Sequence, residues 1–413
     1  MQHKRAGRIL AAAGLGLILV ATLVPLPSSN PGTIAWCVIC GEFGVADFAL
    51  NVTLFVPFAA GVRLMGFSPL ASVGIAALMT VGIETLQMNF ITGRDASLGD
   101  LLANLVGGGI GIAAASTWRI WLFPSARAAA ILAWSGSIAW LIMLTGTAWA
   151  LHRSLDFSTY AGRWAPQSHY SYGYHGLVLS ATLNGKPLIN NSIRNSTAMR
   201  ADLLSERVQV EADVVPGPAP EGLVAIASVG VLGSKIVLLG QKDEDLVFRI
   251  RTRASDVQLR TPAVKLSRAF EHGDNGASNL LVRIKGISTS DRLIAELESG
   301  GATLRQELRL TPNLAWTFFL PLDVALGWSA IIVTWLWIAA LLVPVAYWAA
   351  RSRENGFVRV NVPVLLAVLC GFLAVPALFG VASVAASEWM AAAAGIALGN
   401  VAGLHSRKKT LQP

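Results

Sequence analysis

The sequence predicts a polytopic α-helical membrane protein of about eight spans with an inserted extracytoplasmic all-β sandwich of the jelly-roll or lectin-like type. Two observations support this class. The 413-residue chain is 54% hydrophobic and only 14% charged, whereas a soluble protein has roughly 25% charged residues. Residues 151–320 contain 19 of the 32 Lys and Arg and 16 of the 24 Asp and Glu. A water-soluble domain therefore interrupts two membrane regions.

The membrane helices are predicted from the length of the apolar runs. About 20 apolar residues are needed to cross the hydrocarbon core. Lys4, Arg5 and Arg8 precede the first run, and no clean cleavage site follows it, so we interpret that run as a retained anchor rather than a signal peptide. The last run contains Glu388 and is rich in Ala and Gly. The predicted spans are 9–25, 47–66, 69–89, 99–123, 128–150, 323–349, 361–383 and 386–404.

The distribution of basic residues predicts the orientation. With the N-terminus in the cytoplasm, 12 of the 13 basic residues outside the insert fall on the cytoplasmic side, and only Arg94 falls outside. Eight spans place both termini in the cytoplasm and the insert outside. The expected location is a bacterial inner (cell) membrane, with the lipid bilayer as the first partner. Because the basic residues are explained by topology, the net charge of +8 does not indicate nucleic-acid binding.

The insert shows the pattern of a two-sheet β structure. Short runs rich in Val, Ile and Leu are separated by turn residues such as Asn184-Gly185 and Gly300-Gly301. Many short strands in about 160 residues favour a sandwich or jelly roll. The predicted strands are 175–182, 207–215, 223–229, 235–239, 245–252, 280–285, 293–298 and 302–308.

These predictions divide the chain into four parts. Residues 1–123 form a four-helix membrane domain, and 124–150 form a fifth transmembrane helix. Residues 151–320 form the β-sandwich, and 321–413 form the C-terminal transmembrane helices with a basic cytoplasmic tail. The stripes Gly107-x-x-x-Gly111 and Gly395-x-x-x-Gly399-x-x-x-Gly403 predict close packing between helices.

Polar side chains inside the first apolar segments are the candidate functional residues. In the predicted topology they lie near the outer leaflet, at one end of three successive helices. Glu84 is predicted about six residues before a helix end, roughly 9 Å below it. A charged group at that depth costs a few kcal/mol. The set is Asp47, Asn51, Glu84, Gln87, Arg94, Asp100 and Asn104.

Several of these residues also have structural interpretations. Asp47 and Asp100 begin helices, where an acid favours the positive end of the helix dipole, and Ser97 with Asp100 resembles a capping box. The asparagines are suited to hydrogen bonds between helices. Glu84 lies near a helix C-terminus, where the dipole disfavours an acid, so it is the strongest functional candidate. Arg94 is interpreted as an anion clamp or as the counter-ion of Glu84 or Asp95.

The ordered motifs resemble the VanZ-like family of membrane proteins over about residues 8–120. They are Asp47-x-x-x-Asn51 with Pro57, then Glu84-x-x-Gln87, and then Gly93-Arg94-Asp95-Ala96-Ser97-x-x-Asp100-x-x-x-Asn104-x-x-Gly107. The family is named for a protein linked to teicoplanin, a glycopeptide antibiotic, through low-level resistance. The resemblance implies a location and a site more than a reaction. This chain departs from the minimal family domain by its large outer insert and additional helices.

The insert resembles a concanavalin A-like or laminin-G-like sandwich, on the strand pattern of 207–212, 223–227, 235–239 and 245–251. The resemblance implies glycan binding, sometimes with calcium. Asp243-Glu244-Asp245 and Asp274-Asn275 could supply oxygen ligands or form ordinary polar turns. Aromatic residues near the start of the insert could stack on sugars or belong to the core. They are Trp164, Tyr170, Tyr172 and Tyr174.

Two functional hypotheses follow. The first is a cell-envelope binding protein whose sandwich holds a glycan or partner and whose membrane cluster engages a peptidoglycan precursor or polyprenyl lipid. The second is an intramembrane enzyme acting on a polyprenyl-phosphate-like lipid. In it, Glu84 is a general base, Asp47 and Asp100 orient groups or hold a divalent cation, and Arg94 clamps a phosphate. Cys37 and Cys40 lie in the first outer loop and form either a structural disulfide or free thiols.

Overall fold

The computed structural model describes most of the chain in two compact units. The first unit contains Met1–Ala128 with Val257–Leu259, and the second contains Ala129–Asp256 with Arg260–Pro413. Each unit is considered by itself. The described residues are 2–23, 36–39, 41–91, 97–155, 159–164, 174–189, 193, 196–220, 222–231, 234–271, 281–320, 329–352 and 357–411.

The first unit is helical, and glycines set the distances between its helices. A Cβ atom on Gly107 would lie 2.2 Å from the Val52 carbonyl oxygen, and one on Gly111 would lie 2.3 Å from that of Val56. The backbones of the second and fourth helices are therefore in direct contact, as the small-residue stripe predicts. The helices are α1 Gln2–Leu23, α2 Gly44–Leu64, α3 Pro69–Phe90, α4 Leu98–Ser116 and α5 Trp118–Leu122.

Most of α6, Ala126–Ala150, lies in the second unit, which ends with a helical group. That group contains α9 Ser329–Arg351, α10 Phe357–Leu369, a π-helical segment Cys370–Ala374, α11 Val375–Phe379 and α12 Ala386–Leu411. A Cβ on Gly399 would lie 2.4 Å from the Val343 carbonyl oxygen. The second glycine stripe therefore also serves close helix packing, here of α12 on α9.

Seven helices of the described chain are long and apolar enough to cross a bilayer, which makes this a multi-pass membrane protein. The predicted number was eight. The eighth predicted span falls on α12, a continuous helix of 26 residues that is not among the seven, because Glu388 and Asn400 lie within a sequence dominated by Ala and Gly. The seven are His3–Leu23, Gly44–Leu64, Pro69–Phe90, Leu98–Ser116, Ala126–Ala150, Ser329–Arg351 and Asn361–Phe379.

The region between α6 and α9 is built on two antiparallel sheets. One has the strand order β1-β5-β6-β7-β8 and the other β11-β10-β9-β4-β2-β3. Three short helices, α7 Ser196–Leu204, α8 Arg253–Asp256 and the 3₁₀ helix Pro312–Phe318, lie between or after the strands. The strands are β1 Ala161–Trp164, β2 Leu177–Leu183, β3 Lys186–Pro187, β4 Val208–Val215, β5 Val224–Val231, β6 Ser234–Lys242, β7 Asp245–Ile250, β8 Ala263–Leu266, β9 Val282–Ser288, β10 Arg292–Ser299 and β11 Ala302–Arg309.

All eight predicted strands are present, with ends shifted by a few residues. The strands that the sequence did not predict are β1, β3 and β8, which have four residues or fewer and are too short to show an alternating pattern. The two sheets meet through their apolar faces. A Cβ on Gly286 of β9 would lie 2.1 Å from the Phe248 ring of β7, so glycine is required where this ring crosses the opposite sheet.

Candidate functional site

Helix α3 buries a row of polar side chains and exposes many of its apolar ones. Ser72, Thr80, Glu84 and Gln87 are buried and recur at the three- and four-residue spacing that places them on one face. Exposed residues include Leu70, Leu78, Leu86 and Phe90. This is the inverse of a soluble amphipathic helix and suits a helix with lipid on one side and a polar interior on the other.

Asp100 joins α4 to α2 and also caps its own helix. Its Oδ1 accepts a hydrogen bond from Asn51 Nδ2 at 2.5 Å, and its Oδ2 accepts one from the Ser97 hydroxyl at 2.7 Å. The backbone N–H of Asp100 donates to Ser97 Oγ at 3.1 Å. The predicted capping arrangement is therefore present, and the same carboxylate is also part of the contact between two helices.

Glu84 of α3 faces this group and keeps one oxygen unpaired. Its carboxylate accepts a hydrogen bond from the Ser97 backbone N–H and lies close enough to Asp100 for the two acids to interact electrostatically. Glu84 is 9% exposed, and its Oε2 has no hydrogen-bond partner among the described residues. A buried carboxylate oxygen without a donor is costly, so this atom is the most unusual feature of the helical unit.

Two further buried polar atoms on α3 and α4 have no hydrogen-bond partner among the described residues. Thr80 Oγ1 lies one turn before Glu84 on α3, and Asn104 Oδ1 lies one turn after Asp100 on α4. Thr80 is fully buried and Asn104 is 3% exposed. Sequence reasoning did not select Thr80, although its i,i+4 spacing to Glu84 would have placed the two on one face.

Gln87 has a structural contact of its own. Its side-chain N–H donates to the Thr22 carbonyl oxygen at 2.9 Å, near the C-terminus of α1, where carbonyl groups lack helical partners. Gln87 therefore ties α3 to α1. We consider it a supporting residue rather than one available to a ligand.

The remaining two predicted residues are placed differently. Asp47 lies in the first turn of α2 and is exposed, so the structure does not bury it with Glu84. Arg94 lies outside the described residues, and so does Asp95. The proposed anion clamp at Arg94 and its pairing with Glu84 or Asp95 therefore remain predictions.

The chemistry of the polar cluster is that of a hydrogen-bond acceptor. We use the name polar cluster for five residues, which are Asn51, Thr80, Glu84, Asp100 and Asn104. Its unpaired atoms are a carboxylate oxygen, an amide oxygen and a hydroxyl. The described residues contain no group of three or more His, Cys, Asp or Glu that could hold a metal ion. These oxygen atoms can accept hydrogen bonds from a ligand that offers N–H or O–H groups.

A second buried carboxylate, Glu388 at the start of α12, has both oxygens paired. Oε1 accepts from the Thr311 hydroxyl at 3.3 Å, and Oε2 accepts from Asn313 Nδ2 at 2.5 Å. Beside it, the Ala382 N–H donates to the Leu310 carbonyl oxygen at 3.0 Å. These bonds attach the end of the β-sheet region to the C-terminal helices within one unit.

The candidate residues of the β region are engaged in the fold. Asp243 occupies the β6–β7 turn with a φ of 51°, and Asp245 pairs with Lys265 at 2.5 Å. Trp164 donates its indole N–H to the Leu188 carbonyl oxygen at 3.0 Å. Tyr174 is 9% exposed, and burial raises the pKa of its hydroxyl to about 12. These contacts favour the turn and core interpretations over calcium binding and sugar stacking.

The other candidate residues of the outer regions include aromatic, acidic and cysteine side chains. Tyr170, Tyr172, Asp274 and Asn275 lie outside the described residues. Cys37 is disulfide-bonded, Cys370 has a free thiol, and Cys40 is not among the described residues. The Cys37 carbonyl oxygen accepts a hydrogen bond from Gly99 N–H at 3.1 Å, which fixes this loop against the start of α4.

Comparison with known families agrees with the helical geometry. The model of the VanZ/LLP1 family matches residues 12–121. The first helical region is VanZ-like. The match covers about a quarter of the chain and contains every residue of the polar cluster. No curated protein and no solved structure matches the chain.

Proposed function

We propose that this VanZ-like protein is a cell-envelope binding protein that recognises a lipid-linked cell-wall intermediate through the polar cluster of α2, α3 and α4. The observation that carries the proposal is the unpaired, buried Oε2 atom of Glu84. Buried polar groups are nearly always hydrogen-bonded, and exceptions call for an explanation. A ligand that supplies donors to Glu84, Thr80 and Asn104 would complete the cluster.

The ligand that suits these acceptors bears hydroxyl or amide donors next to a long apolar chain. Sugars of envelope precursors provide many O–H and N–H donors, and a polyprenyl chain would lie along the exposed apolar face of α3. A phosphate without a sugar suits the cluster poorly, because Glu84 and Asp100 are both acids and would repel it. A cation would be needed between the phosphate and the two carboxylates. We therefore propose recognition of the sugar part of such a lipid.

The orientation of the protein is part of the proposal. The positive-inside rule supports cytoplasmic termini, a bacterial inner membrane and an outward-facing β region. This orientation treats α12 as an eighth span. Its 26 residues give a length of about 39 Å at 1.5 Å per residue, which is sufficient to cross. The outward β region would then provide a second surface for a glycan or a protein partner.

The alternative is a metal-assisted enzyme acting on a polyprenyl-phosphate-like lipid with Glu84 as general base. The proximity of Glu84 and Asp100 supports it, since paired carboxylates serve acid–base chemistry. The described residues supply no third acidic, His or Cys ligand beside this pair. The binding hypothesis therefore has the stronger support from geometry.

The test is the binding of defined lipids to the full-length protein in detergent. One probe is a polyprenyl-pyrophosphate-linked disaccharide, and the other is the same polyprenyl pyrophosphate without the sugar. We expect the wild type to bind the sugar-bearing probe more tightly. Glu84→Gln should weaken that binding about tenfold or more, because one charge-assisted hydrogen bond contributes roughly 1.5–3 kcal/mol.

A matched control is available on the same helix. Thr85 is the next residue but is exposed and donates its hydroxyl to the Val81 carbonyl oxygen at 2.7 Å. Thr85→Val should leave the affinity for both probes unchanged. Equal binding of the two probes, or equal loss in Glu84→Gln and Thr85→Val, would contradict the proposal. Metal-dependent turnover of either probe would favour the enzyme instead.

A further inference from the structure

A cavity of about 220 Å³ lies at the base of the β region, where the chain leaves α6. Its walls include Leu151–Arg153, then Ile250, Thr252 and Arg253 at and after the end of β7, and Ser288–Ser290 between β9 and β10. An isolated bridge pairs Arg153 with Thr252, so the first residues after the membrane helix are tied to the sheet. The cavity is therefore built by paired backbone segments.

Two hydroxyl groups in the cavity wall lack partners. Thr252 and Ser288 are 3% and 1% exposed, respectively, and neither hydroxyl has a hydrogen-bond partner in the described part of the chain. The neighbouring Thr289 hydroxyl, by contrast, donates to Asp291 at 2.6 Å. Two buried hydroxyls without partners in one small cavity indicate a ligand that accepts hydrogen bonds from them.

The charge of the cavity is positive. None of the described residues that line it is acidic, whereas Arg153 and Arg253 both line it. Arg153 is held by the carbonyl oxygens of Leu203 and Ser205 at 3.0 and 2.7 Å, which neutralise no charge. The Arg253 guanidinium lies 5.6 Å from the centre of the Trp149 ring. Both cations are therefore fixed in place.

His152 also lines the cavity and contributes a neutral imidazole ring. Burial, and then the charge of Arg253, lower the pKa of His152 below its usual range. The imidazole is therefore uncharged at neutral pH, and the two guanidinium groups carry the positive field. An anion of small size suits this field better than a cation or a neutral sugar does.

We propose that this cavity binds a phosphate ester, which accepts hydrogen bonds from Thr252 and Ser288 in the field of Arg153 and Arg253. A volume of about 220 Å³ holds a group the size of glycerol phosphate and excludes an oligosaccharide. The position one residue beyond Ala150, the last residue of α6, with Trp149 beside it, is typical of the level of lipid headgroups. The ester is thus either a phospholipid headgroup or a soluble phosphate ester. This site is independent of the polar cluster.

The experiment uses full-length protein in an uncharged detergent. Thermal unfolding is followed with sn-glycerol 3-phosphate, inorganic phosphate or glucose added. Native mass spectrometry counts retained phosphatidylglycerol against diacylglycerol, which lacks phosphate. The double variant Thr252→Val with Ser288→Ala should weaken binding of the phosphate-bearing probe about 100-fold, because each hydroxyl contributes about tenfold.

A control and a fold readout accompany the double variant. Thr182 Oγ1 also lacks a partner but does not line the cavity, so Thr182→Val should bind as the wild type does. Without ligand, the double variant should unfold at the wild-type temperature or above it, because it buries fewer unpaired hydroxyls. Stabilisation by glycerol 3-phosphate would identify a soluble ester, and retention of phosphatidylglycerol alone would identify a lipid. Binding of neither, equal binding of glucose, or binding that the double variant retains would overturn the proposal.

Discussion

Glu84 and Glu388 are both buried carboxylates in helices, yet their surroundings differ. Glu388 has a donor at each oxygen, from Thr311 and Asn313. Glu84 has the Ser97 N–H on its carboxylate and an Oε2 atom without a donor. We therefore interpret Glu388 as an acid that supports the fold and propose that Glu84 meets a ligand. Burial alone therefore does not distinguish a structural acid from a functional one.

The largest expected effect is on stability at Glu388. Glu388→Ala leaves the buried Thr311 and Asn313 donors without an acceptor and should lower the free energy of unfolding by about 3 kcal/mol. Glu84→Ala should lower it by only about 1 kcal/mol, because fewer donors are orphaned. Unfolding of the two variants in mixed micelles measures the difference. Equal losses would remove the distinction between the two acids.

Asp100 provides a second comparison, now within the polar cluster. Asp100→Ala removes the acceptor of Asn51 and part of the capping arrangement with Ser97, so we expect a loss of about 2 kcal/mol. Asn104→Ala removes an unpaired acceptor and should cost less than about 1 kcal/mol. The same unfolding assay applies. A larger loss for Asn104→Ala would mean that its amide has a structural role.

Thr80 tests whether the unpaired atoms serve a ligand. Thr80→Val keeps the shape of the side chain and removes a hydroxyl that has no partner, so stability should stay within about 0.5 kcal/mol of the wild type or rise. Affinity for the sugar-bearing lipid should nevertheless fall severalfold. Lower stability with unchanged affinity would make Thr80 a packing residue.

The last predicted effect is the pH dependence of stability at Asp213, a partly exposed acid of the β region. It compares such an acid with the two buried ones. The hydrogen bond from Arg283, and a weaker one from Ser180, hold the pKa of Asp213 below its usual range. Because the folded-state pKa is depressed, this stabilisation is present above about pH 4 and is lost as the pH falls through the folded-state pKa. Asp213→Asn should therefore reduce the loss of stability in acid, by at most about 1 kcal/mol. An unchanged pH profile would show that this pair contributes nothing.

Much of the fold could be predicted from local patterns. Long apolar runs gave seven of the spans, and alternation gave eight strands. The strands β1, β3 and β8 were missed because they form by pairing with distant partners, as Ala161 of β1 does with Gly230. The eighth span was assigned by length, although Glu388 and Asn400 lower the hydropathy of α12.

The candidate site was predicted in part. The sequence grouped Glu84 with Asp100 and Asn51 because the predicted topology places them near the outer leaflet, at one end of three successive helices. It did not distinguish Gln87 as a supporting residue, because the hydrogen bond from Gln87 to Thr22 joins residues 65 positions apart. It did not include Thr80, because a threonine within a helix is common and gives no functional signal by itself. Whether a polar atom has a hydrogen-bond partner depends on how the three helices pack together. The sequence of a single helix therefore does not predict it.

The most direct test of the account is infrared difference spectroscopy of the carboxyl groups on addition of the polyprenyl-pyrophosphate-linked disaccharide. Protein labelled with ¹³C at the Glu side-chain carboxyl separates Glu bands from Asp bands. We expect the ligand to shift one Glu band, and this shift should disappear in Glu84→Gln and persist in Glu388→Gln. A spectrum that does not change with ligand, or a shift that disappears only in Glu388→Gln, would contradict the central claim.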